Sequence, residues 1–247
     1  MKTQLLRVLR CALLTSGIAA TSFELQAAEA KWISLFDGQT LAGWKLGQGH
    51  AKVEVRDGAI VGAVTAGETQ NTFLITTDDT FHDFIFECEF RCDPEINSGV
   101  NFRSRPADAT VKRLYGPQYE IDPTPRALTG GVQEEGGSVR RDASKAGTNP
   151  TSFWLAPAKS SGPLREAWNQ QHGDQFKPAP AWNTMRIECR GPNIKTWLNG
   201  HLLADFADKD PVAIPRGFFG LQVHATKDAK LFGREAAFRN IRVQRLD

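Results

Sequence analysis

The sequence is poor in cysteine. It has four in 247 residues, at positions 11, 88, 92 and 189, too few for a disulfide framework. No further Cys or His lies near Cys88 and Cys92 at the spacing that would complete a structural zinc site. Excess charge of either sign is also missing: 30 Lys and Arg stand against 28 Asp and Glu, for a net charge of +2. Without a basic stretch there is no signal for nucleic acid. No apolar run approaches the ~20 residues a membrane-spanning helix requires. The phosphate-binding loop, the dinucleotide fingerprint, G-x-S-x-G and H-E-x-x-H are all absent, as is any repeat of solenoid or propeller period. Helix signals are scarce as well. Only the short stretch 164–171, LREAWNQQ, reads as helical.

Residues 1–30 read as a secretory leader, with Lys2, Arg7 and Arg10 ahead of a short run of small and apolar residues and Ala28-Glu29-Ala30 as the cleavage pattern. The expectation is export to the periplasm or beyond, a mature chain of residues 31–247 forming one domain, and no membrane span. Three cysteines remain in the mature chain. Cys88 and Cys92 sit four residues apart in an apparent strand, about 13 Å at ~3.3 Å per residue, too far to bridge. Pairing of either with Cys189 after export is the alternative, and buried free thiols are the better expectation.

What the chain does have is strands. Residues 83–92, DFIFECEFRC, alternate strictly: Phe84, Phe86, Cys88, Phe90 and Cys92 on one face, Ile85, Glu87, Glu89 and Arg91 on the other. Asp57-Gly58 and Asn199-Gly200 mark two-residue hairpins. Further strands are expected near 73–77, 98–104, 117–122, 129–135, 152–156, 184–190, 194–206, 217–224 and 238–246. Ten or more strands without a long helix indicate an all-β, two-sheet jelly-roll sandwich. Residues 104–182 hold fewer strands and many Gly, Pro and Arg residues, as a site-bearing loop region would.

The second faces of several strands are polar in a particular way. Asn101 and Arg103 oppose Val100 and Phe102. Glu120 and Asp122 oppose Tyr119 and Ile121. Gln222 and His224 oppose Leu221 and Val223. Lys195 and Trp197 oppose Ile194, Thr196 and Leu198. If those strands are neighbours, the residues make one polar surface with an aromatic, suited to sugar hydroxyls and sugar C–H faces. Glu120 and Asp122 stand out: at i and i+2 they share a face about 6.6 Å apart. Such a pair can divide acid and base roles, hold a divalent cation, or pair with Arg103, Arg113 or Arg126. The charged loop 134–141, which includes Glu135, reads as a rim.

Several segments together resemble the 3-keto-disaccharide hydrolase family: LFDGQTLAGW (35–44), NSGVNFR (97–103), GPQYEID (116–122), TGGVQEEGG (129–137), WNTMRIECRG (182–191), TWLNGHLLADF (196–206), GFFGLQVH (217–224) and FRNIRVQRL (238–246). The resemblance runs from about Ile33 to the C-terminus. It implies a concanavalin A-like jelly roll that acts on glycosides oxidised to a ketone at C3. That ketone acidifies the C2 hydrogen, so a base can start a β-elimination that expels the C1 oxygen, and water can add back. The implied roles are Glu120 or His224 as base and Arg103 as stabiliser of the enolate, with or without a divalent cation held by Asp122 and a neighbour. No other cofactor is implied. Asn97, Asn101, Gln222, Trp197, Lys195 and Glu135 would bind the oligosaccharide or glycoside. Asn97-Ser98-Gly99 has a structural reading too, a turn in which Gly99 supplies backbone freedom.

Two other readings share the fold. A lectin-like module needs only the polar groove and an exposed Trp. A laminarinase-type glucanase would carry a third acid after Glu120-Ile121-Asp122, but Pro123-Thr124-Pro125-Arg126 follows instead, and the prolines end the strand.

Overall fold

The computed structural model describes residues 31–109, 111, 113–142, 144, 152–156, 175–210 and 213–247. The expected leader and the expected helix at 164–171 lie outside the described residues. Among the described residues, fifteen strands are arranged as two antiparallel sheets packed face to face. The back sheet contains β1 (Trp32–Ser34), β3 (Lys52–Arg56), β4 (Ala59–Ala63), β6 (Phe84–Cys92), β11 (Asn183–Arg190), β12 (Asn193–Leu198), β13 (His201–Ala207) and β15 (Glu235–Arg245). Its order is β13-β12-β11-β6-β15-β4-β3, with β1 also paired to β15. The front sheet is ordered β10-β9-β8-β7-β14-β5-β2. These are β2 (Trp44–Gln48), β5 (Thr72–Thr76), β7 (Ser98–Ser104), β8 (Gly116–Ile121), β9 (Val132–Glu135), β10 (Phe153–Ala156) and β14 (Phe218–Val223). α-Helix among the described residues is one turn, α1 (Ser138–Arg141), and no helix there is long and apolar enough to cross a membrane.

Two-residue alternation builds the core. Phe84, Phe86, Cys88, Phe90 and Cys92 of β6 all point inward, as their spacing predicts, and meet Val100, Phe102, Tyr119 and Phe219 from the front sheet. Phe219 is the centre of an aromatic cluster, with ring centroids 4.5 Å from Phe86, 4.6 Å from Phe81 and 4.8 Å from Phe84. Edge and tilted contacts of this kind add to the burial of the rings. Both expected hairpins form. Asp57-Gly58 joins β3 to β4 and Asn199-Gly200 joins β12 to β13, each pair with positive φ at both residues, as the tight turn demands.

Cys88, Cys92 and Cys189 are buried and free. The register explains why no bridge forms between neighbouring strands: Cys88 stands opposite Met185, and Cys189 opposite Phe84. Burial pushes all three thiols up, Cys189 to about 12, so they are inert small hydrophobes.

Phe219, from the front sheet, packs on Phe84 and Phe86 of the back sheet, so truncating it opens a cavity between the sheets. Phe219→Ala should cost about 3–5 kcal/mol in denaturant unfolding of the protein. A cost below 1 kcal/mol would show that the cluster is not the sandwich's keystone.

Candidate active site

Three adjacent front-sheet strands place the site. Register puts Glu120 of β8 opposite Gly99 of β7, and Gly99 opposite Gln222 of β14. All three occupy the face turned away from the core. Gly99 provides space here rather than backbone freedom: a Cβ would come 2.6 Å from the Gln118 side chain, and its φ is not positive. The pocket above this row has a volume of about 380 Å³, and its lining includes Asn97, Arg113, Glu120, Arg126, Gln133, Glu135, Gln222 and His224. Beyond the polar residues, part of that outer face is apolar. Phe73, Ile75, Leu114 and Phe218 cluster there, under a loop fixed by the Leu114 N–H donating to Gln48 Oε1 at 2.7 Å. The same loop delivers Arg113.

Glu120 is 1% exposed. Asn97 Nδ2 donates to its Oε1 and Gln133 Nε2 to its Oε2. Behind Gln133 runs a chain of amides: Gln133 Nε2 also donates to Gln118 Oε1 at 3.0 Å, and Gln118 Nε2 to Asn101 Oδ1 at 2.8 Å. Burial raises the Glu120 carboxyl to about 7, against the hydrogen bond from Asn97 and the charge of Arg126, and with help from Asp122. A carboxyl buried this deeply resists ionisation, and the two amides recover only part of the lost hydration.

Around it stand two ion pairs. Arg113 pairs with Glu135, which also accepts from Ser152 Oγ at 3.0 Å. Arg126 Nε lies 3.0 Å from Asp122 Oδ2. His224 sits at the exposed rim just past β14, where the surrounding protein depresses its pKa and the cations of Arg126 and Arg113 add to the effect. Gln222 is 1% exposed, lines the pocket, and its Oε1 has no partner among the described residues. A buried acceptor left open in this way is completed by a donor on a ligand or by water.

Of the residues expected from sequence, Glu120, Asn97, Gln222, His224 and Glu135 converge on this pocket. Asn101 belongs to the amide chain beneath it rather than to the lining. Asp122 is adjacent but engaged, by Thr124 Oγ1 at 2.6 Å and by Arg126. No group of three potential metal ligands gathers among the described residues.

Three expected residues are elsewhere. Arg103 has φ +47 at a register shift between β7 and β14, which breaks the alternation. Its guanidinium is 4% exposed and packs over Phe84, donating to the carbonyls of His82 and Gly191 (both 2.7 Å) and to Asp83 Oδ1 (2.9 Å). Trp197 and Lys195 do alternate as predicted, but β12 lies in the other sheet. They face away from its core, Lys195 paired with Asp205 at 3.0 Å.

Reading the sequence strand by strand missed Gln133, Arg113 and Arg126 as pocket residues. Gln133 shares its strand parity with Glu135, a usable signal. The two arginines come from loops, where periodicity says nothing.

The 3-keto-alpha-glucoside-1,2-lyase-like domain model matches residues 31–244 of this chain. The chain belongs to that family. No curated protein matches the sequence. Among solved structures, this family member is similar to two candidate glycosyl hydrolases from Parabacteroides distasonis. One aligns at 20% identity and TM-score 0.56, covering 89% of this chain and 95% of the other. The second aligns at 18% and 0.52, covering 87% and 100%. The apo Crh5 transglycosylase aligns at 11% identity and TM-score 0.51, covering 90% and 86%. Identities this low establish the jelly-roll fold alone.

The raised Glu120 pKa has a stability consequence with a definite sign. Between its ordinary 4.5 and about 7, the folded state holds a proton that the unfolded state has released. Stability therefore falls as pH rises through that window. Glu120→Gln removes the effect. Its unfolding free energy relative to wild type should shift in the variant's favour by about 3 kcal/mol between pH 4.5 and pH 8. Parallel denaturation curves at the two pH values test this, and a pH-independent difference would place the Glu120 pKa near its ordinary value.

Proposed function

We propose that the protein cleaves glycosides carrying a ketone at C3, with Glu120 as the base at C2. The observation that carries this reading is a fully buried carboxyl facing a polar pocket, where burial pushes its pKa up to about 7. A base is most effective when its pKa lies near working pH. His224, with a depressed pKa, is neutral at pH 7 and serves as a rim hydrogen-bonding group.

The steps balance without an oxidant or reductant. The Glu120 carboxylate takes the C2 proton, and the electron pair forms the C2=C3 enediolate with charge on the C3 oxygen. Arg126 takes the stabilising role expected of Arg103, because its charge reaches both Glu120 and His224. The enediolate then collapses: C3=O re-forms, C1=C2 forms, and the C1–O bond breaks as the leaving oxygen is protonated. Water adding across C1=C2 completes net hydrolysis. Gln222 and Asn97 position sugar hydroxyls. No step needs the opposed carboxylate pair of ordinary glycosidases.

The test is mass-spectrometric product analysis with a 3-keto-glucoside beside the unoxidised glucoside. The ketone substrate alone should be cleaved, with kcat rising with pH to a plateau through an apparent pKa of about 7. Glu120→Gln should lower kcat by roughly 10²–10⁴-fold, and Arg126→Ala by roughly 10²–10³-fold. Cleavage of the unoxidised sugar would return the protein to ordinary glycosidase chemistry. Binding of the ketone sugar without turnover would make it a lectin-like module.

A further inference from the structure

The outer face of the back sheet carries a second cleft, of about 810 Å³, more than twice the volume of the front pocket. Its floor is one row of side chains in register across five strands: Trp197, Arg186, Glu87, Arg242 and Ser34. Glu87 is gripped from both sides, by Arg186 Nη1 at 2.8 Å and Arg242 Nη2 at 2.7 Å. The same two guanidiniums lie over the indoles that bound the cleft. Arg186 is 5.3 Å from the Trp197 ring and Arg242 4.4 Å from the Trp32 ring. Both indoles remain partly exposed. A bulge at Asn240, where φ is +51 and the β15–β6 register shifts, and the hairpin tip at Gly200 complete the lining.

The chemistry of the occupant follows from this floor. Glu87 and Glu89 cancel Arg186 and Arg242 among the lining residues, so the cleft attracts neither cations nor anions. The centre of a protein interface is depleted of charged residues, whereas this floor is charged along most of its length. It presents locked, planar hydrogen-bonding edges between two aromatic faces. Sugar hydroxyls use the first and sugar C–H faces the second. From β12, which carries Trp197, to β1, which carries Trp32, there are four strand spacings, about 19 Å. That span suits a chain of several sugars rather than one. We propose that the cleft is a holding site for a neutral oligosaccharide, separate from the Glu120 pocket on the opposite sheet.

The experiment is isothermal titration of the mature protein with maltohexaose, cellohexaose and laminarihexaose, beside oligogalacturonate as an acidic chain and glucose as a single ring. The Glu120→Gln variant serves as background so that turnover does not interfere. At least one neutral hexasaccharide should bind, glucose should not, and the acidic chain should bind no better. Trp197→Ala and Trp32→Ala should each weaken that binding at least tenfold, while the same changes in the wild-type background leave cleavage of a short ketone substrate unchanged. Trp197→Phe, which keeps an aromatic face, should retain most of the affinity and guards against a folding defect in Trp197→Ala. The proposal falls if none of the three hexasaccharides binds, if binding survives in both Trp→Ala variants, or if the acidic chain is preferred.

Discussion

A carboxyl group shut away from water must find hydrogen-bond donors, and the front sheet is organised around that need at Glu120. Asn97 and Gln133 supply one donor each. They come from different strands' ends, so β8 must lie between β7 and β9 for both to reach. Gln133 is steadied by Gln118, and Gln118 by Asn101. Gly99 leaves out a side chain where one would strike Gln118. The aromatic core beneath holds these strands in register, because Tyr119 and Ile121, the neighbours of Glu120, are both fully buried.

Much of this was readable from spacing. Strict alternation in residues 84–92 identified the core face of β6, and alternation in 98–102 and 117–121 put Glu120 and Asn101 on the outer face. The resemblance to the 3-keto-disaccharide hydrolase family agreed with the family match over residues 31–244. What alternation cannot supply is which strands are neighbours. Trp197 has the right parity and the wrong sheet. β12 pairs with β11 and β13, and the sandwich core separates it from β7, β8 and β14. That information is non-local, and no period in the chain encodes it.

Arg103 and Arg126 illustrate a second limit. One left-handed residue at 103 turns a predicted outward side chain onto the Phe84 ring. Conversely, the Pro-rich turn after β8 carries Arg126 back to Asp122, four residues earlier, and so to the pocket. An arginine on a strand is lost from the site and one on a loop is gained. The net chemistry expected of the site, a carboxyl near a cation, survives the exchange.

The amide chain behind Glu120 has a direction. Ser104 Oγ donates to the Phe102 carbonyl and so accepts from Asn101 Nδ2. That fixes the Asn101 oxygen toward Gln118, the Gln118 oxygen toward Gln133, and the Gln133 nitrogen toward Glu120. A backbone carbonyl some distance away thus sets which end of each amide faces the next. Both oxygens of Glu120 therefore meet only donors, and an amide nitrogen cannot take up a proton. A proton on Glu120 has no path backward through this amide chain. The relay behaves as a one-way wall, and a proton on Glu120 exchanges toward the pocket side.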